Sequence, residues 1–227
     1  MLGAGKPMVL LGRGGCPPVL DVPQSPGVYD SERRRAVCNA TWTEFVEYVR
    51  KTRPEVVVLV GHGARFFSQG ERKTAARARA DASFATSRQD AHAFEVGLTG
   101  LVTSLQQTSR VIYLLEIPTF DSSPTCLLRP VRLPGSTCSP QVPRDALAQR
   151  RSQYTQSVFK VQHEHPGLMV VDSLPSLCGA KNCSQVERGG RILYSDKLHL
   201  SPAGGRRLAQ GSGLSKVITD ETGASHE

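Results

Sequence analysis

Apolar runs of strand length alternate along this chain with longer stretches of helical period. Glu55 to Gly61 reads EVVVLVG, a β-branched run of the kind a strand covered on both faces shows. Val111 to Ile117, stopped by Pro118, and Leu168 to Val171, ending at Asp172, predict two more buried strands, and the short run Pro7 to Leu11 predicts another. Between them the period changes. Thr41-Trp42-Thr43-Glu44 has the capping-box pattern of a helix start, followed by Trp42, Phe45, Val46 and Val49 at helical spacing and ended by Pro54. Residues 71–107 predict a second helix, polar at first and then striped by Phe94, Leu98, Leu101, Val102 and Leu105. A third is expected from Pro143 to His163, and a last one from Ser201-Pro202, where serine caps and proline suits the first turn.

Strand–helix alternation predicts the α/β class: a parallel sheet with helices on both faces. Ligands in such sheets bind at the carboxyl ends of the strands. Gly61-His62-Gly63, the segment after Ile117 and the turn holding Asp196 and His199 are therefore expected to converge on one rim. The domain is expected to span residues 1–210. From residue 211 the composition turns to Gly, Ser, Thr and Glu, which predicts a disordered tail over 211–227.

Charge and cysteine content narrow the function classes. The formal net charge of +8 invites a nucleic-acid reading, but the basic residues are dispersed, without interleaved aromatics or a binding motif, so no nucleic-acid partner is expected. No run approaches the roughly 18 apolar residues that span a bilayer. Met1 to Pro7 lacks the basic and apolar regions of a secretory signal, so the chain as written carries no address. The six cysteines form sequence-local pairs, Cys16 with Cys38, Cys126 with Cys138 and Cys178 with Cys183, all in Pro, Gly or Ser surroundings. Three loop-closing disulfides and an oxidising compartment are expected, with buried free thiols as the alternative. Zinc is disfavoured by the lack of any Cys-x-x-Cys or Cys-x-x-His, and no metal or cofactor is expected.

The chemistry concentrates in Tyr194-Ser195-Asp196-Lys197-Leu198-His199-Leu200-Ser201. An aspartate three residues before a histidine can accept the Nδ1 proton of the imidazole, which leaves Nε2 to take a proton from a serine hydroxyl. The alternative is a solvated turn capped by Ser201. His62, His92, His163 and His165 are read as structural or solvated, and Arg65 as either an anion ligand or a salt-bridge partner.

With these pieces in order, residues 5–210 resemble the SGNH-type domain attached to the C-terminus of membrane O-acyltransferases that acylate bacterial surface polysaccharides. The resemblance rests on Cys16-Pro17-Pro18 with Cys38, on Val56 to Val60 running into Ala64-Arg65-Phe66, and on Ile117-Pro118 before Cys126-Leu127-Leu128-Arg129. It rests further on Asp172 before Leu177-Cys178 and Cys183, and on Tyr194, Asp196, His199-Leu200-Ser201 and Gly204. It implies His199 as general base, Asp196 as its orienting carboxylate, and Gly61, Gly63 and Arg65 along the oxyanion and substrate rim. Glycine at 63 stands where the family's oxyanion-hole asparagine is expected.

The chain contains no Gly-Asp-Ser, the family's nucleophile block, and none of Asp30-Ser31, Asp172-Ser173, Gly135-Ser136 or Gly211-Ser212 replaces it. In the family that block precedes the Cys-Pro-Pro loop. The expectation is thus a three-layer SGNH/flavodoxin-like sheet without its first strand, its serine upstream of Met1, and a chain inactive by itself. The implied activity is an O-acyltransferase or acetylesterase acting on hydroxyls of cell-surface glycans. Its implied partners are a glycan acceptor and an acyl donor delivered by a membrane acyltransferase domain, in a periplasmic, membrane-tethered setting. A non-catalytic glycan-binding module, or the product of a truncated gene, is the alternative.

Overall fold

A computed structural model describes residues 8–21, 31–61, 63, 67, 80–128 and 138–219. His62 and Arg65 lie outside the described residues. The chain divides into two compact units, one of Val9–Glu116 with Arg150–Val171, the other built chiefly from Ile117–Gln149 and Asp172–Glu227.

The first unit holds a parallel sheet of β1 (Val56–Val60), β2 (Arg110–Leu114) and β4 (Leu168–Val171), with β2 in the middle. The register sets Val57 against Val111 and Val111 against Leu168. Its helices are α1 (Glu32–Thr52), α2 (Ala80–Gln106) and α4 (Ser152–Glu164). The α2 stripe read from the sequence is the centre of the core: Phe94, Leu98, Leu101, Val102 and Leu105 are all fully buried. Each such side chain contributes roughly 1.5–3 kcal/mol by leaving water. Phe94 meets Phe67 and Tyr154 edge-to-face at ring-centroid distances of 5.5 and 5.8 Å. The Tyr154 hydroxyl donates to the Tyr113 hydroxyl at 3.1 Å, and burial pushes both phenols well above their ordinary pKa.

Helix α1 starts earlier than the capping-box pattern predicts. Ser31 is its N-cap, accepting a hydrogen bond from the Arg34 amide, while Thr41 lies mid-helix with its hydroxyl donating to the Val37 carbonyl. A Ser-x-x-Arg cap without a hydrophobic run behind it carries little signal, and the Thr-x-x-Glu spacing recurs inside helices by chance. Arg53, with φ 47°, ends α1 ahead of Pro54. Of the expected buried strand at Pro7–Leu11, Pro7 lies outside the described residues and Met8–Leu11 form no strand. Met8–Leu11 is exposed, Leu10 to 91%, and pairs with no strand among the described residues. An apolar run becomes a strand only where a neighbouring ladder satisfies its N–H and C=O groups.

The second unit carries β3 (Gln141–Pro143), antiparallel to β5 (Asn182–Ser184), with Val142 opposite Cys183. Around them lie α3 (Arg144–Arg150), α5 (Leu174–Leu177), α6 (Pro202–Gly211) and α7 (Leu214–Thr219). Phe120, Val142, Leu147, Leu174, Leu193 and Tyr194 form its buried cluster. This antiparallel pair was not expected from the sequence, because three-residue strands are too short to show alternation. Nor is the predicted helix Pro143–His163 continuous. It breaks between α3 and α4 at Arg151, whose buried guanidinium donates to the Glu116 carbonyl at 3.0 Å. Within the expected tail 211–227, Leu214–Thr219 form α7, and residues 220–227 lie outside the described residues. The three disulfides, Cys16–Cys38, Cys126–Cys138 and Cys178–Cys183, are those read from the sequence.

Candidate acid–base site

Asp196 and His199 sit on a tight loop that its own backbone closes. The Ser195 amide donates to the His199 carbonyl at 2.8 Å, and the Ser201 amide donates to the Leu193 carbonyl at 2.9 Å. Ser201 then caps α6, accepting from the Gly204 amide at 3.2 Å while its hydroxyl donates to the Ile192 carbonyl at 2.7 Å. A serine at this position thus both starts the helix and ties down the loop before it.

The Asp196 carboxylate uses both oxygens. Oδ1 accepts the backbone amides of Leu198 at 2.7 Å and His199 at 2.8 Å, an Asx-type turn. Oδ2 lies 2.7 Å from His199 Nδ1. An ionised carboxylate only accepts, so Nδ1 carries the proton and the Nε2 lone pair is left for a proton from elsewhere. The imidazole is 69% exposed, so Nε2 chemistry is open to a substrate. No serine hydroxyl among the described residues hydrogen-bonds the ring.

Electrostatics follow the same geometry. The His199 hydrogen bond, helped by the two backbone amides, holds the Asp196 carboxyl down at about 2, against an ordinary value of 3.8. A depressed carboxyl contributes stability that is present above pH 3.8 and is lost as pH falls through about 2. The expected result of a carbon-13 carboxylate titration is therefore a midpoint near 2 for Asp196. Replacing His199 by Ala should move that midpoint up toward 3.8; an unmoved midpoint would refute the contact.

Residues that sequence reading missed hold the loop from below. Gln185 is fully buried, and its side-chain amide donates to the Ser122 carbonyl at 2.9 Å and the Asp196 carbonyl at 3.3 Å. The Phe120 amide donates to the Lys197 carbonyl at 3.0 Å, and the Phe120 and Tyr194 rings stack edge-to-face at 4.9 Å. Only Tyr194 carried a signal, through its place in the motif. A glutamine 11 residues before an aspartate has no pattern that marks it as a clamp.

Gly61 and Gly63 lie just past the carboxyl end of β1 in the first unit, and packing explains both. A Cβ on Gly61 would press on the Pro18 ring, and one on Gly63 would land inside the Tyr154 ring. The space that an asparagine side chain would need at 63 is filled by Tyr154. The described residues hold no cluster of three or more metal-ligating side chains, and none of their helices is long and apolar enough to cross a membrane.

A solved structure of the lipopolysaccharide acetyltransferase periplasmic domain from Salmonella ser. Paratyphi A is similar at 15% identity and a TM-score of 0.49; the match covers 79% of this chain and 63% of that one. The chain thus spans under two thirds of that domain. A search of curated proteins found no match. The family model of the SGNH domain (fused to AT3 domains) matches residues 2–211, which include all three disulfides and the Asp196–His199 loop. This chain belongs to the family of SGNH domains fused to AT3 domains.

Proposed function

We propose that this chain supplies the general base and its orienting carboxylate to an O-acyltransferase that works on hydroxyls of cell-surface glycans. The 2.7 Å contact between Asp196 Oδ2 and His199 Nδ1, with the imidazole open to solvent, carries the proposal. In the first half-reaction, His199 Nε2 takes the proton of a serine hydroxyl as that oxygen attacks the acyl carbonyl. The same proton then goes to the departing donor oxygen. In the second half, Nε2 takes the proton of a glycan hydroxyl as it attacks the acyl-serine, and returns it to the serine as the ester leaves. Asp196 stays ionised throughout and stabilises the imidazolium formed in each half. With water as acceptor the same steps make an esterase.

The nucleophilic serine is proposed to come from outside residues 1–227, since the chain has no Gly-Asp-Ser. An AT3 membrane domain delivers the acyl group, and three disulfides suit an extracytoplasmic setting. The packing of Tyr154 against Gly63 favours a second reading, a glycan-binding module without turnover, because it closes one expected oxyanion-donor position. A fluorophosphonate probe separates them. Under the acyl-transfer reading the intact AT3-containing protein is labelled at a serine, and His199→Ala abolishes labelling. Absence of labelling in the intact protein, with glycan binding retained, would leave only the binding module.

A further inference from the structure

A groove of about 470 Å³ lies within the second unit, between the start of α5, the turn at Glu187–Arg191 and one side of α6. Three arginines, Arg191, Arg206 and Arg207, line it together with a single carboxylate, Glu187. Arg207 is fixed: its Nε donates to the Ser176 carbonyl at 2.8 Å and an Nη donates to Glu187 Oε1 at 2.7 Å. Arg191 shares the same carboxylate through a longer, exposed contact of 3.7 Å. Arg206 is exposed and has no carboxylate partner among the described residues. One negative charge divided between two arginines, with a third beside them, leaves the groove with excess positive charge.

Its floor is polar as well. Ser176 lines the groove at only 7% exposure, and its hydroxyl is buried beside Gly211 without a hydrogen-bond partner among the described residues. Gln210 adds an amide at the opposite wall. Guanidinium forks match the paired oxygens of phosphate and carboxylate. The volume exceeds what a bare oxyanion fills and falls in the range of small-molecule sites.

We propose that this groove binds an anionic saccharide. Arg206 and Arg191 hold its phosphate or carboxylate, and Gln210 binds a hydroxyl. The site uses neither Asp196 nor His199, so it stands apart from the acyl-transfer reading and survives its failure. It would tether an acidic glycan to the domain whichever hydroxyl reacts.

The test is a titration of the full chain with glucose 1-phosphate, glucuronate and uncharged methyl glucoside, followed through the backbone amide shifts of Ser176, Arg206 and Gly211. Saturable shifts with an anionic sugar and none with the glucoside are expected, and the two anionic arms tell phosphate from carboxylate. Arg206→Glu should weaken binding by about tenfold or more, and Arg206→Gln by less, as charge reversal exceeds charge removal. Each variant's fold is read in the same spectrum, and His199→Ala should bind as the parent does. Equal binding of the glucoside, no saturable shift with either anionic sugar, or unchanged affinity in a folded Arg206→Glu would overturn the assignment.

Discussion

Asp196→Asn in the intact AT3-containing protein is expected to lower acyl transfer by about 10⁴-fold, with little change in KM for the glycan. The reason is a tautomer. The carboxamide of this variant would keep an oxygen to accept the Leu198 and His199 amides, so the Asx turn and the loop persist. Its NH₂ group, however, can donate to Nδ1, where the carboxylate only accepts. The ring then carries its proton on Nε2 and cannot take one from a hydroxyl. His199→Ala should cost at least as much, and the two losses should not add, because both remove one unit of chemistry. Single-turnover acyl transfer measures this; a rate within about tenfold of the parent in Asp196→Asn would exclude the pair from catalysis.

Gly204→Ala should be the most damaging single methyl in the second unit. Its Cβ would run into the backbone carbonyl of Leu193, with the Leu200 side chain also crowded. A flexible side chain can move aside, but this carbonyl accepts the Ser201 amide and so helps to close the Asp196–His199 loop. Relief of the clash must therefore shift α6 or open the loop. Overpacking typically costs roughly 1–3 kcal/mol, and a backbone clash belongs at the upper end, about 3 kcal/mol. Gly205→Ala is the matched control: its Cβ would meet nothing within 4 Å. Alanine there should be neutral or stabilise by up to about 1 kcal/mol through helix propensity. Chemical denaturation of the two variants decides the matter. Equal stabilities would show that the α6 approach to Leu193 is not tight.

The pair at the centre of the site was legible in the sequence because it is local. An Asx turn places a carboxylate over the amides two and three residues on, and the same three-residue spacing sets the imidazole against it. The cysteine pairs were legible for a related reason, with sequence separations of only 22, 12 and 5 residues. Strands β1, β2 and β4 were readable from their short apolar runs, although only β2 is buried along most of its length and β1 alternates and exposes Val60. The stripe of α2 was readable because complete burial leaves a strictly periodic run.

What only the tertiary structure decided depends on partners distant in sequence. Gln185 bridges Ser122 and Asp196 across 63 and 11 residues, and nothing near it announces that task. Gly63 reads as a lost oxyanion donor until Tyr154, far along the chain, is seen to occupy the space beside it. Met8–Leu11 has the composition of a strand, yet it is exposed and unladdered among the described residues. Hydrophobicity sets whether a segment can be buried, whereas a ladder needs a neighbour at about 4.8 Å to satisfy its backbone. By itself the sequence therefore determined the class of fold, the cross-links and the Asp196–His199 pair. Packing between distant segments decided where helices begin and break, which glycines are obligatory, and what holds the Asp196–His199 loop in place.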